Sequence, residues 1–128
     1  IIFTHEHADH VMGLDDIRPF FFRQGNIDLY AHPRVMKALE RIFSYIFETE
    51  NKYPGAPSVN EHYINENPFA IGDLEVVPID GLHNKLQVYG YRFNKFAYLT
   101  DMKTVSSTEI KKLQKDFYHS SNKELKYF

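Results

Sequence analysis

Three histidines and an aspartate stand within six residues near the start of the chain, in His5-Glu6-His7-Ala8-Asp9-His10. An extended backbone turns residues two apart to the same side, so His5 and His7 project together. Asp9 and His10 follow where a strand opens into a helix, and they reach the same spot from another direction. This spacing suits two metal ions, one on His5 and His7 and a second on Asp9 and His10. Imidazole and carboxylate are ligands for zinc, and also for manganese or iron. Cysteine is absent, so any metal must be held by His, Asp and Glu. The bland alternative is a surface cluster, or core histidines satisfied by backbone. Seven His among 128 residues seldom gather in this way by chance. A zincin helix needs His-Glu-x-x-His. The fourth position after His5 is Asp9, and the segment leaves a strand, so that reading is rejected.

The elements that must position these residues follow from periodicity. Ile1–Thr4 reads as a buried strand. From Asp9 to about Phe22, Val11, Leu14, Ile17 and Phe21 recur at helical steps, and Pro19 predicts a kink or an end near Arg18. Ile27–Ala31 reads as a short strand. Pro33 occupies a favourable first helical position, and the stripe Val35, Leu39, Ile42, Phe43, Ile46 and Phe47 predicts a helix from about Arg34 to Thr49. Tyr53 to Pro57 is a loop by its Pro and Gly content. Strands are expected at about Glu61–Ile64, Phe69–Ile71, Leu74–Ile79, Val88–Phe93 and Phe96–Thr100. Hairpin turns are expected at Gly72-Asp73 and, more weakly, at Asn94-Lys95. A modest helix over Thr108–Phe117 closes the pattern. This order indicates helices packed on a mixed sheet.

Composition narrows the field. A chain of 128 residues with 43% hydrophobic and 16% aromatic residues is expected to be folded rather than disordered, and to make up one domain at most. No apolar run approaches the roughly 18 residues of a membrane span. A net charge of −2 offers no basic field for a nucleic-acid backbone, so nucleic acid is not an expected partner. The opening Ile1-Ile2-Phe3-Thr4 has no initiator Met and reads as a start in mid-fold. A cytoplasmic location is the expectation, weakened by that start.

Thr4-His5-Glu6-His7-Ala8-Asp9-His10 followed by Gly13-Leu14 resembles the His-x-His-x-Asp-His signature of the metallo-β-lactamase superfamily. The continuation through Asp15, Asp16, Ile17, Arg18, Pro19 and Phe20 resembles the bacterial branch related to phosphoribosyl cyclic phosphate phosphodiesterases. More distantly it resembles the tRNA 3′-processing endonucleases. Lys52-Tyr53-Pro54-Gly55, Phe69 to Leu74, His83 to Leu86 and Tyr98 to Asp101 extend the likeness to about residues 1–112. The resemblance implies an α/β fold, the αββα sandwich, incomplete here for want of N-terminal strands and the C-terminal part. It implies His83 as a third ligand of the first ion, after the strand Leu74–Ile79. It also implies Asp101, ending the strand Phe96–Thr100, as a carboxylate bridging both ions. The cofactors implied are two divalent ions, zinc foremost. Such ions share a water and lower its pKa toward roughly 7. Asp9 then holds the second ion and orients that water, the one catalytic role assigned. The family's last histidine ligand has no match here, because the context of His119 differs from it.

The expected activity is hydrolysis of a small or cyclic phosphodiester, the substrate being a small molecule. A truncated, inactive metal-binding or interaction domain is the alternative, as is a thioesterase or lactonase of the same superfamily. A redox diiron protein is disfavoured, since that group carries Glu where His7 stands. No residue is assigned to the substrate. His32 is read as structural and His62 as solvent-facing. Asp15 and Asp16 are read as partners of ligating imidazoles or as ordinary helix carboxylates. Arg18 is read as pairing with Asp15 in preference to a substrate phosphate. With strands missing, Tyr89, Tyr91, Phe93, Leu39, Phe43 and Phe47 are expected to lack cover.

Overall fold

A computed structural model describes residues 1–114. Phe117, the expected end of the last helix, and His119 lie outside the described residues. The chain divides into two units, Ile1–Ile64 and the part from Asn65 onward. The described strands form two sheets, a parallel pair in the first unit and an antiparallel sheet in the second, within the expected mixed α/β architecture.

The first unit runs through α1 (Ala8–Val11), a 3-10 turn (Met12–Ile17), α2 (Arg18–Gln24) and β1 (Ile27–Ala31). It continues through α3 (Pro33–Ile42), α4 (Ser44–Phe47) and β2 (Val59–Tyr63). The single helix expected over Asp9 to Phe22 is thus three pieces. Leu14 and Ile17, three apart and both buried, suit the three-residue period of the 3-10 turn. Pro19 falls in the first turn of α2, where its missing N–H costs nothing. The expected Arg34–Thr49 helix breaks at Phe43, whose ψ of 42° leaves the helical region. Its ring still turns inward, so Leu39, Phe43 and Ile46 stay on one buried face across the break. Lys52 Nζ donates to the Ile46 and Glu48 carbonyls at 2.5 and 3.3 Å, satisfying the end of α4.

β1 and β2 pair in parallel from Ile27 opposite Val59 to Ala31 opposite Tyr63. A parallel pair requires a crossover, and α3 and α4 supply it. Ile27, Leu29 and Ala31 face the core with Val35, Met36 and Leu39, while Asp28 faces out. The expected strand Ile1–Thr4 reduces to a single parallel bridge. Phe3 N–H donates to Tyr30 O at 2.9 Å, and Tyr30 N–H donates to Ile1 O at 2.8 Å. That bridge ties the residues before His5 to β1.

The second unit contains β3 (Phe69–Ile71), β4 (Leu74–His83), β5 (Leu86–Phe93), β6 (Phe96–Tyr98), β7 (Thr104–Val105) and α5 (Ser107–Gln114). Gly72, Asn84 and Asn94 take φ values of 57°, 56° and 51° at the three hairpin turns. The turn at Asn84 was not foreseen, and it joins the two longest strands, both of which outrun their expected bounds. β5 pairs with β4 from Val76 to His83. The opposite edge of β4 is shared by β3, near Leu74, and by β7, at Gly81 and Leu82. Pro78, with no N–H to offer, lies in the gap between them. Tyr89, Tyr91, Leu39 and Phe43 are buried, and Phe47 and Phe93 half-buried, which corrects the expectation that these side chains lack cover. Burial pushes the Tyr91 phenol pKa far up.

Candidate metal centre

In the first unit the motif folds around its own histidines. His5 is fully buried, and Thr4 Oγ1 meets its Nδ1 at 3.1 Å. His7 is the extended N-cap residue of α1, at φ −63° and ψ 146°. The next turn closes back, with His10 N–H donating to His7 O at 2.9 Å. The rings of His7 and His10 consequently lie beside that of His5, at centroid distances of 4.7 and 4.2 Å. Asp9 Oδ2 is 3.3 Å from His10 Nε2. All four expected residues of the motif are therefore together in one corner of the unit. Imidazole nitrogen and carboxylate oxygen are the donor types that divalent ions take.

Glu6 was given no role by the sequence. Arg34, in the first turn of α3, grips it from Nε to Oε1 at 2.9 Å and from Nη2 to Oε2 at 3.1 Å. No signal within the motif points to a partner 28 residues away.

In the second unit His83 is the last residue of β4 rather than a loop residue beyond it. Asp101 lies past β6, which ends at Tyr98, so it is a loop carboxylate and not the end of a strand. Its φ of 58° is a left-handed conformation that Asp tolerates. His83 Nε2 and Asp101 Oδ2 are 3.9 Å apart. Lys103 secures this pairing on both sides of His83. Its N–H donates to Leu82 O at 2.8 Å and its Nζ to Asn84 Oδ1 at 3.0 Å. The same loop seats Met102 and Leu99 on backbone that carries no side chain. A Cβ on Gly81 would meet Met102 Sδ at 2.8 Å, and one on Gly90 would meet Leu99 Cδ2 at 2.3 Å.

The remaining expected residues resolve individually. His32 is structural, its Nδ1 accepting from Arg34 N–H at 3.2 Å at the start of α3. His62 is not simply solvent-facing: its Nε2 is 3.0 Å from Asp28 Oδ1, and its ring stacks on Tyr30 at 4.4 Å. That contact, followed by one from Asn60, holds the Asp28 carboxyl below its usual pKa. Arg18 pairs with Asp15 at 3.7 Å, as expected. Asp15 also accepts from the Tyr45 hydroxyl, which raises the pKa of that phenol. Asp15 is thus held by α2 and α4 residues, and Asp16 is exposed.

Residues 1–118 match the family described as Beta-lactamase superfamily domain, and the chain belongs to that family. A solved structure described as a new diphosphatase from the PhnP family is similar at a TM-score of 0.76 and 31% identity. The match covers 88% of this chain and 43% of that one. The metallo-beta-lactamase fold protein YhfI from Bacillus subtilis matches with a TM-score of 0.51 and 14% identity, over 72% of this chain and 34% of that one. The fold is therefore of the metallo-β-lactamase type, as the motif implied. A curated protein of Porphyromonas gingivalis (strain ATCC BAA-308 / W83), named octanoyltransferase, is 36% identical over 115 residues, 89% of this chain. The chain spans 23% of that protein. Among the described residues, no helix is long and apolar enough to cross a membrane.

Proposed function

We propose that this chain carries the metal-binding half of a hydrolase acting on small phosphate esters, phosphodiesters first. The observation that carries this reading is the packing of His5, His7 and His10 around one corner of a metallo-β-lactamase-family domain. In this reading His5, His7 and His83 would hold one divalent ion, Asp9 and His10 would hold a second, and Asp101 would serve both. Zinc suits the nitrogen-rich set best, with manganese or iron as alternatives. Such ions, when bound, supply Lewis acidity and lower the pKa of a water.

The chain's own residues do the positioning. The bridge from Phe3 to Tyr30 fixes where His5 begins. The closed turn at His7 sets His10 and Asp9 beside it. In this reading Asp9 would orient the attacking water and take up its proton. Lys103 and the turn at Asn84 keep His83 and Asp101 within reach of one another.

The likeness to a PhnP-family diphosphatase supports a phosphorus-centred substrate. A second reading, hydrolysis of an acyl thioester or lactone, is favoured by the relative named octanoyltransferase. Most of that protein lies outside the matched stretch, so its name carries less weight. The test is a screen of the full-length protein, loaded with zinc or manganese, against bis-p-nitrophenyl phosphate, a cyclic phosphodiester, a diphosphate ester and an acyl thioester. The reading expects turnover of the phosphorus substrates, abolished by a chelator and restored by metal. Turnover of the thioester alone would favour the second reading.

A further inference from the structure

We propose that Arg34 is a positioning residue for the metal-binding histidines, acting through Glu6; this rests on the metal-binding reading above. Glu6 stands between His5 and His7, and in extended backbone its side chain leaves on the face opposite theirs. Any rotation of the segment that moves Glu6 also moves both imidazoles. Arg34 meets both carboxylate oxygens, donating a hydrogen bond from Nη2 to Oε2 at 3.1 Å and pairing by charge from Nε to Oε1 at 2.9 Å. A guanidinium that meets both oxygens, one through a hydrogen bond and the other through charge, restrains the carboxylate from two directions, which the point charge of a lysine ammonium does not.

The arginine itself is anchored. Arg34 N–H is bound by His32 Nδ1 at 3.2 Å, Pro33 opens the helix, and Met36 N–H donates to His32 O at 3.0 Å. The neighbouring residues Val35, Met36 and Leu39 are fully buried, so α3 offers a fixed base. The side chains of Arg34 and Glu6 remain 37% and 23% exposed. An ion pair in that setting adds little to stability. Its contribution is orientation, in the way that partners behind metal ligands commonly tune them.

The experiment uses the full-length protein and cobalt(II) alone as probe. Affinity, the visible absorption spectrum of the bound cobalt and the thermal midpoint are measured for wild type, Arg34→Lys, Glu6→Gln and the reversed pair Glu6→Arg with Arg34→Glu. The expected result is a loss of about 10- to 100-fold in cobalt affinity for each single variant. The spectrum changes while the thermal midpoint stays near wild type, and the reversed pair recovers much of the affinity. Wild-type affinity and spectrum in both single variants would overturn the inference and leave the metal-binding reading standing. Affinity lost only in step with unfolding would overturn it too. A wild-type protein that takes up no cobalt would overturn both.

Discussion

Glu109 of α5 accepts a hydrogen bond from the Asp80 backbone N–H, 2.9 Å from its Oε2, on the stretch of β4 that neither β3 nor β7 covers. Lys112, paired with Glu109 at 2.8 Å, donates to the Pro78 carbonyl at 3.4 Å. Two helix side chains thus satisfy an edge that lacks a neighbouring strand. Glu109 is only 15% exposed on its side chain, so its loss strands a poorly hydrated donor. Hydrogen bonds to charged groups contribute about 1.5–3 kcal/mol. Glu109→Ala is expected to destabilise by that amount in urea unfolding, and Glu109→Gln, which keeps an acceptor, by clearly less.

The loop that carries Asp101 rests on two glycines of neighbouring strands. A Cβ at Gly90 would stand 2.3 Å from Leu99 Cδ2 and 2.9 Å from Tyr98 O, so Gly90→Ala must push the loop away. Overpacking of this kind costs roughly 1–3 kcal/mol. The expected outcome is a lower thermal midpoint together with weaker binding of the second equivalent of zinc, measured by titration of the full-length protein. Adding Leu99→Ala relieves part of the crowding and should recover part of both losses, as a double-mutant cycle would register.

Asp28 gives a pH prediction with a definite sign. Its carboxyl is held below the usual value, first by the bond with His62 and then by that with Asn60. A lowered folded-state pKa contributes stability that is present above the unfolded value, about 3.9, and lost as pH falls through the folded value. The pair is half-exposed, so its contribution is about 0.2–1 kcal/mol. Stability measured against pH should fall less steeply below pH 4 in Asp28→Asn than in wild type. At neutral pH the variant should be the less stable of the two.

Much of this was legible in the sequence because short-range chemistry decides it. His5, His7, Asp9 and His10 are neighbours in the chain, so strand and turn geometry alone brings them together. Gly72 and Asn94 announced their hairpins by residue type. Asn84 did not, because His83 and Asn84 read as a loop that ended the strand early, whereas β4 continues to the turn itself. The break at Phe43 was hidden because the apolar stripe runs on across it. The grip of Arg34 on Glu6, and that of Lys103 on the residues flanking His83, are long-range contacts between ordinary charged or polar side chains. No periodicity marks them. The burial of Tyr89 and Tyr91 was missed for a similar reason, since sequence spacing does not tell what covers a strand.

Tyr45→Phe tests the small network at Asp15. The variant removes one donor and leaves Arg18 in place, 3.7 Å from the same carboxylate. A loss of about 0.5–1.5 kcal/mol is expected by chemical denaturation. Zinc uptake should be unchanged, because Asp15 is held by α2 and α4 residues and not by a ligating histidine.

The central claim is that six residues, His5, His7, Asp9, His10, His83 and Asp101, hold a pair of divalent ions. Metal content per chain, measured on full-length protein after zinc loading and exhaustive dialysis, tests it most directly. The account predicts about two equivalents in wild type, as in two-metal hydrolytic sites. It predicts a clear drop in His7→Ala, and a drop with sharply reduced phosphodiester hydrolysis but an intact fold in Asp101→Asn. Wild-type protein without retained zinc, or undiminished zinc in both variants, would contradict it.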